Sequence, residues 1–195
     1  MEENLVKEII KICEINRIRQ GKVEIIELRE RIHNPSIDRI IKELVDKGFL
    51  NKDLYPTIKG RGLIKVGLTG GVFDIIHPGH IETLKEAKRR VDLLAVIVAR
   101  DKTVVKLKGR KPIYNEEARL KIISMIKPVD IALLGSEKDY LDPVKHIKPD
   151  IIFLGYDQEL PPNIANRLPR NIKIEKLNIH VKEYKSSLIL KRIRK

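Results

Sequence analysis

Tryptophan is absent from this chain, and cysteine occurs once, at Cys13. A lone thiol excludes an internal disulfide framework, so stability has to come from a packed core. No apolar run is long enough to span a bilayer and no secretory leader opens the chain, which excludes a membrane and points to a soluble, cytoplasmic protein. Internal repeats and low-complexity tracts are lacking as well. The 195 residues suffice for one large domain, or for a medium one and a small one.

What is abundant is charge. Charged residues make up 34% of the chain, and with plentiful Ile and Lys they give a composition found in heat-adapted proteins. The formal net charge is +13. Its distribution matters more than its size: residues 1–62 carry 13 Lys/Arg against 11 Asp/Glu, and residues 63–195 carry 27 against 16. The excess therefore lies in the later part, which either meets an anionic partner or presents a solvated basic face.

The period of the apolar residues divides the chain at the same place. "NLVKEIIKICEI", "KVEIIELRERI" and "PSIDRIIKELVDKGF" each repeat on one helical face, the third starting at Pro35-Ser36 and stopping at Gly48. Short β-like pieces follow at Leu50 to Tyr55 and at Thr57-Ile58. Three helices and a small hairpin over residues 1–62 resemble a winged helix-turn-helix domain, with "IIKELVDKGFLNKDLYPTIKGRGLI" as its recognition helix, wing and closing turn. That resemblance implies a DNA partner, met through Arg39, Lys42, Lys52, Lys59 and Arg61, although Asp38, Glu43, Asp46 and Asp53 oppose them. A small helical packing or dimerising module, giving a homodimer, is the other reading.

From residue 63 to residue 195 strand and helix alternate. "LIKVGLT", "DLLAVIVA", "DIALLG" and "DIIFLG" are short and rich in Ile, Val and Leu, as strands buried on both faces are, and "HIETLKEAKRR" and "NEEARLKIISMI" have helical period. The fold class expected is α/β: a Rossmann-like parallel sheet preceded by a small winged-helix domain. Right-handed crossovers then gather the loops that follow the strands on one edge, where ligands bind.

The first of these loops, "GGVFDIIHPGH", carries the chemistry. Gly70 and Gly71 let the backbone bend close to a ligand, and a helix opening at Pro78-Gly79 turns its N–H groups toward the same place. His77 and His80 can both donate to one phosphate there. A zinc site would need a third ligand that the spacing does not supply, and two ordinary surface histidines would leave the glycines unexplained. After the second strand, Lys106, Lys108, Arg110 and Lys111 form a basic Gly-containing loop that folds over a triphosphate or is simply solvated. Ser186-Ser187 stand at a helix start, as phosphate donors or plain caps.

Gly-x-Phe-Asp-x-x-His-Pro-Gly-His resembles the phosphate-binding motif of the HxGH nucleotidyltransferases. Val72 stands where Thr is common in that family, and Leu188 where a Thr often follows the serines. Within the family, "VIVARDKTVVKLKGRKPIYNEEAR", "IKPVDIALLG", "IKPDIIFLGYDQ" and "SSLILKRI" resemble the archaeal FAD synthase branch, in order, over residues 64–195. The resemblance implies ATP and FMN as substrates, FAD and pyrophosphate as products, and a divalent cation, Mg²⁺ by default. It implies catalytic roles for His77, His80, Lys106 and Lys108. It also implies nucleotide contacts at Gly71, Val72, Phe73, Asp74, Pro78 and Gly79, at Gly155, Tyr156, Asp157 and Gln158 around the nucleoside, and at Ser186 and Ser187. A cytidylyltransferase acting on glycerol 3-phosphate shares the same histidines, and a DNA-binding regulator with a nucleotide- or flavin-sensing domain is the reading of another class.

Overall fold

The apolar stripes of the first sixty residues do become three helices. In the computed structural model, which describes residues 3–160 and 162–179, these are α1 (Glu3–Ile18), α2 (Ile25–Ile32) and α3 (Ile37–Asp46). Ile37, Ile40, Ile41 and Leu44 of α3 are buried, the i, i+3, i+4, i+7 set of one helical face. The helix stops where Gly48 takes φ +71, with Gly48 N donating to Val45 O and Phe49 N to Leu44 O, a glycine-terminated cap that satisfies the last carbonyls.

The expected wing is shorter than its sequence suggests. Its strands reduce to one antiparallel bridge, Leu50 to Pro56, and Thr57-Ile58, expected as a β-like piece, instead open the short helix α4 (Ile58–Arg61). The cap decides this: Thr57 Oγ1 accepts from Gly60 N at 3.2 Å and donates to Gly48 O at 2.7 Å. A Cβ on Gly60 would lie 2.0 Å from Phe49 O, so the turn closes only around glycine. Two of the five cations expected to face phosphates are turned toward protein. Lys59 donates to Lys47 O at 2.8 Å, and Arg61 donates to Ile64 O at 2.8 Å and lies 3.5 Å from the buried Glu14 carboxylate.

The chain divides into two compact units, Met1–Lys65 and Val66–Lys195. In the second, strands β1 (Val66–Gly71), β2 (Leu93–Val98), β3 (Ile131–Leu134), β4 (Ile151–Gly155) and β5 (Lys173–Leu177) form one parallel sheet in the order β3-β2-β1-β4-β5. The four apolar runs are strands β1 to β4. The fifth strand is an addition: "KIEKL" is an edge strand with only Leu177 buried, so it carries the lysines that edges carry and none of the apolar density that marks the others.

Helices α5 (Pro78–Arg89), α6 (Asp101–Lys108), α7 (Glu116–Ser124), α8 (Asp142–Ile147) and α9 (Pro162–Ala165) connect the strands. The core joins Leu94, Val96, Val98, Phe153, Leu84, Ala87 and Ile123, and Gly67 packs closely against it, since a Cβ there would lie 2.7 Å from the Phe153 ring. Residues 101–108, expected as a basic loop, are helix α6, which Gly109 ends at φ +65. Among the described residues no helix is long and apolar enough to cross a membrane.

Candidate active site

The strand order reverses between β1 and β4: the chain moves from β1 to β2 and β3 on one side, then returns to place β4 and β5 on the other. Crossovers on opposite faces leave a crevice at such a point, beyond the strand ends. The two motifs singled out in the sequence lie at its two walls, "GGVFDIIHPGH" after β1 and "GYDQ" after β4. Gln158 joins them, accepting from Gly155 N at 2.8 Å and donating to Gly70 O at 3.1 Å. Below, Thr69 Oγ1 donates to Phe153 O at 3.1 Å. Gln158, expected as a nucleotide contact, thus has its amide engaged in holding the crevice together.

Beyond β1 the backbone turns through Phe73, which takes φ +53, a conformation costly for a residue with a Cβ. Its ring is buried under Gly71, where an added Cβ would meet it at 3.0 Å, and it meets His80 edge-on at a centroid distance of 5.3 Å. Asp74 is buried, and its two oxygens accept from Arg110 Nη1 at 2.8 Å and Ile113 N at 2.6 Å. Val72 O accepts from Arg119 Nη1 at 2.6 Å. The turn's acidic side chain and first carbonyl are therefore matched by protein.

The Nδ1 atoms of the two histidines are not. His77 caps α5 in an extended conformation, Pro78 opens the helix, and His80 falls in its first turn. Their rings stack at 3.8 Å with an interplanar angle of 22°. The Nδ1 atoms of both are buried without a hydrogen-bond partner among the described residues. Burial pushes His77 down from its usual pKa. For His80 burial, the neighbouring His77 and the Lys108 ammonium hold the pKa to about 4, against the pull of Asp157 and the Ile75 backbone. Burial, the facing imidazole and the Lys108 ammonium each disfavour a proton on His80, and a negative charge placed beside the pair would favour one.

The two catalytic lysine candidates are separated. Residues two apart on a helix point about 200° away from one another; the Lys108 ammonium is near enough to His80 to oppose its protonation, while Lys106 lines a cleft of about 650 Å³ with Asp101, Lys102, Val105, Lys111 and Ile113. The Asp157 charge favours a proton on His80, Gly155 ends β4, and Tyr156 follows it. Ser186 and Ser187 lie outside the described residues. No group of three or more His, Cys, Asp or Glu side chains that could hold a metal ion is gathered among the described residues.

Arg119 is the residue the sequence reading missed. It is fully buried and lies in α7 on the same face as the buried Ile123. An arginine four residues from a core isoleucine, inside an apolar stripe, is the one signal that could have exposed it.

Comparison with known proteins agrees with this geometry. Residues 68–192 match the family model described as Cytidylyltransferase-like. A FAD synthase of Ferroglobus placidus is 50% identical over 115 residues, which are 58% of this chain and 74% of that one. The crystal structure of the lipopolysaccharide core biosynthesis protein from Thermoplasma volcanium GSS1 superposes with a TM-score of 0.55 at 43% identity, covering 60% of this chain and 98% of that one. With the family match running through more than half of its length, and across both walls of the crevice, the chain belongs to the cytidylyltransferase-like family.

Proposed function

We propose that the protein is an FAD synthase, an FMN adenylyltransferase that joins AMP from ATP to FMN and releases pyrophosphate. The stacked His77/His80 pair at the start of α5 carries the transfer chemistry. The 50% identity to a protein named FAD synthase selects the substrates.

FMN's terminal phosphate is already anionic near neutral pH, so its oxygen attacks the α-phosphorus of ATP in line, the bond to the bridging oxygen breaks, and pyrophosphate leaves. No general base and no covalent enzyme intermediate are required. Catalysis is positioning and charge stabilisation. His77 and His80 take the charge that develops at the α-phosphate, and Lys108 neutralises the departing pyrophosphate. Lys106, which lines a cleft without the histidines, has the lesser part. Gly71, Val72, Phe73, Pro78 and Gly79 shape the phosphate turn. Asp74 supports it from behind through Arg110 and Ile113. Gly155, Tyr156 and Asp157 border the nucleoside, with Gln158 fastening that wall to β1. Ser186 and Ser187 are assigned to the β/γ-phosphates by their motif alone. A divalent cation suits a triphosphate substrate, but the described residues gather no cage for it, and none of these steps runs through one.

The runner-up is cytidylyl transfer to glycerol 3-phosphate or a similar phosphorylated alcohol, which would use the same histidines; the family's own name favours it. One assay separates them. Incubation with ATP and FMN should release pyrophosphate and give a product of the mass of FAD, while CTP with glycerol 3-phosphate should be poor. Faster turnover of the second pair would replace the substrate assignment and leave the transfer chemistry in place.

A further inference from the structure

Arg119 has the largest of the fully buried side chains among the described residues and takes no part in the chemistry above. A guanidinium without solvent is costly unless its donors are matched, and here they are. Nε donates to Tyr114 O at 3.0 Å, Nη1 to Val72 O at 2.6 Å, and Nη2 to Ala99 O at 2.8 Å and to Asp101 Oδ1 at 2.6 Å. The acceptors come from the turn after β1, the end of β2, the first residue of α6 and the approach to α7. A residue needed only to fill space there would be served as well by an apolar side chain.

Of the four acceptors, Asp101 opens α6, and Ala99 and Tyr114 lie on either side of that helix in the chain. Arg119 and Asp101 fasten the start of that helix to Val72, and Asp74 fastens the segment after it to the same turn through Arg110 and Ile113. Glu116 adds a bond to Asp101 N at 2.7 Å. Between the two fastenings lies Lys108, whose ammonium acts on His80. The histidines stand on α5, which follows the turn that Arg119 holds by Val72 O.

We propose that Arg119 is a positioning residue for nucleotidyl transfer: by joining Val72 O, Ala99 O and the Asp101 carboxylate it fixes helix α6 against the phosphate turn and so sets Lys108 opposite the His77/His80 pair. The proposal rests on the transfer reading given above. Its reach is tested through Asp101, the one acceptor that a side-chain substitution can alter without emptying the core, since its side chain is 37% exposed while that of Arg119 is 0%.

The test is a double-mutant cycle on the full-length protein, with Asp101→Asn, Lys108→Met and the two combined, alongside Arg119→Lys. Asp101→Asn should stay folded by circular dichroism and lower kcat by about tenfold or more, the cost of a small misplacement, with KM for FMN little changed. In the Lys108→Met background it should cost nothing further, because both changes act through one ammonium. Arg119→Lys, whose single ammonium cannot span the same acceptors, should lose at least as much; if it does not fold, the Asp101 cycle decides alone. A second readout is independent of turnover: in histidine NMR, Asp101→Asn and Lys108→Met should each raise the titration midpoint of His80 as the ammonium is displaced or removed. Losses that multiply in the double variant, an unchanged kcat in Asp101→Asn or Arg119→Lys, or a His80 midpoint moved by Lys108→Met but not by Asp101→Asn, would overturn the proposal. A wild-type protein that transfers no nucleotide to any acceptor would sink the transfer reading itself, and the NMR arm would still report on whether the clasp sets Lys108.

Discussion

Acidifying the nucleotide-free protein should destabilise it through His80 well before its carboxylates titrate. The imidazole is held to a pKa of about 4 by burial, by the stacked His77 and by Lys108, against an ordinary value of 6.5. A histidine depressed in the folded state binds fewer protons there than in the unfolded chain between those two values, so stability is fully present above the unfolded value and is lost as pH falls through the window toward the folded one. Integrating the linkage relation gives a loss of about 1.4 kcal/mol at pH 5.5 and about 2.5 kcal/mol at pH 4.5. The Asp139 carboxylate, pulled down to about 2 by the Leu141 amide, Lys145 and Arg167, acts in a separate and more acidic window. With no tryptophan in the chain, unfolding in urea is followed by far-UV circular dichroism at several pH values from about 7.5 to about 4.5, for the wild type and for His80→Asn. The variant lacks this proton, so its stability should fall less steeply, and the difference between the two proteins should change by about 2.5 kcal/mol across the range. Parallel pH profiles would show that His80 is not held neutral.

Two further outcomes test the site's geometry and its scaffold. Lys108→Met should lower kcat by about tenfold to a hundredfold, and Lys106→Met by no more than about threefold, because the charge of the first acts on His80 and the second lines a cleft without the histidines; equal losses in steady-state assays would refute that separation. Gly67→Ala places a Cβ 2.7 Å from the Phe153 ring and should lower stability by about 1 to 3 kcal/mol, read as a lower urea midpoint, whereas an unchanged midpoint would mean that β1 and β4 adjust freely at the crevice floor.

The parts of this protein that its sequence determines are those governed by neighbours along the chain. The stripe Ile37, Ile40, Ile41, Leu44 makes α3, the Ile/Val/Leu runs make β1 to β4, and Gly-Gly before a turn and His-Pro-Gly-His at a helix start place two histidines after the first strand. Tertiary structure decided the rest. Edge strand β5 has too little buried surface to leave an apolar pattern. Thr57-Ile58 has the composition of a strand, but a cap onto Gly60 and the close approach of Phe49 make it helical. Lys106 and Lys108 read as a pair because they are two residues apart, and a helix points them away from one another. Arg119 is held by Val72, Ala99 and Tyr114 through their carbonyl oxygens, and since every residue carries that group, only the fold that brings the two distant segments of Val72 and Ala99 to it could give a buried arginine its place.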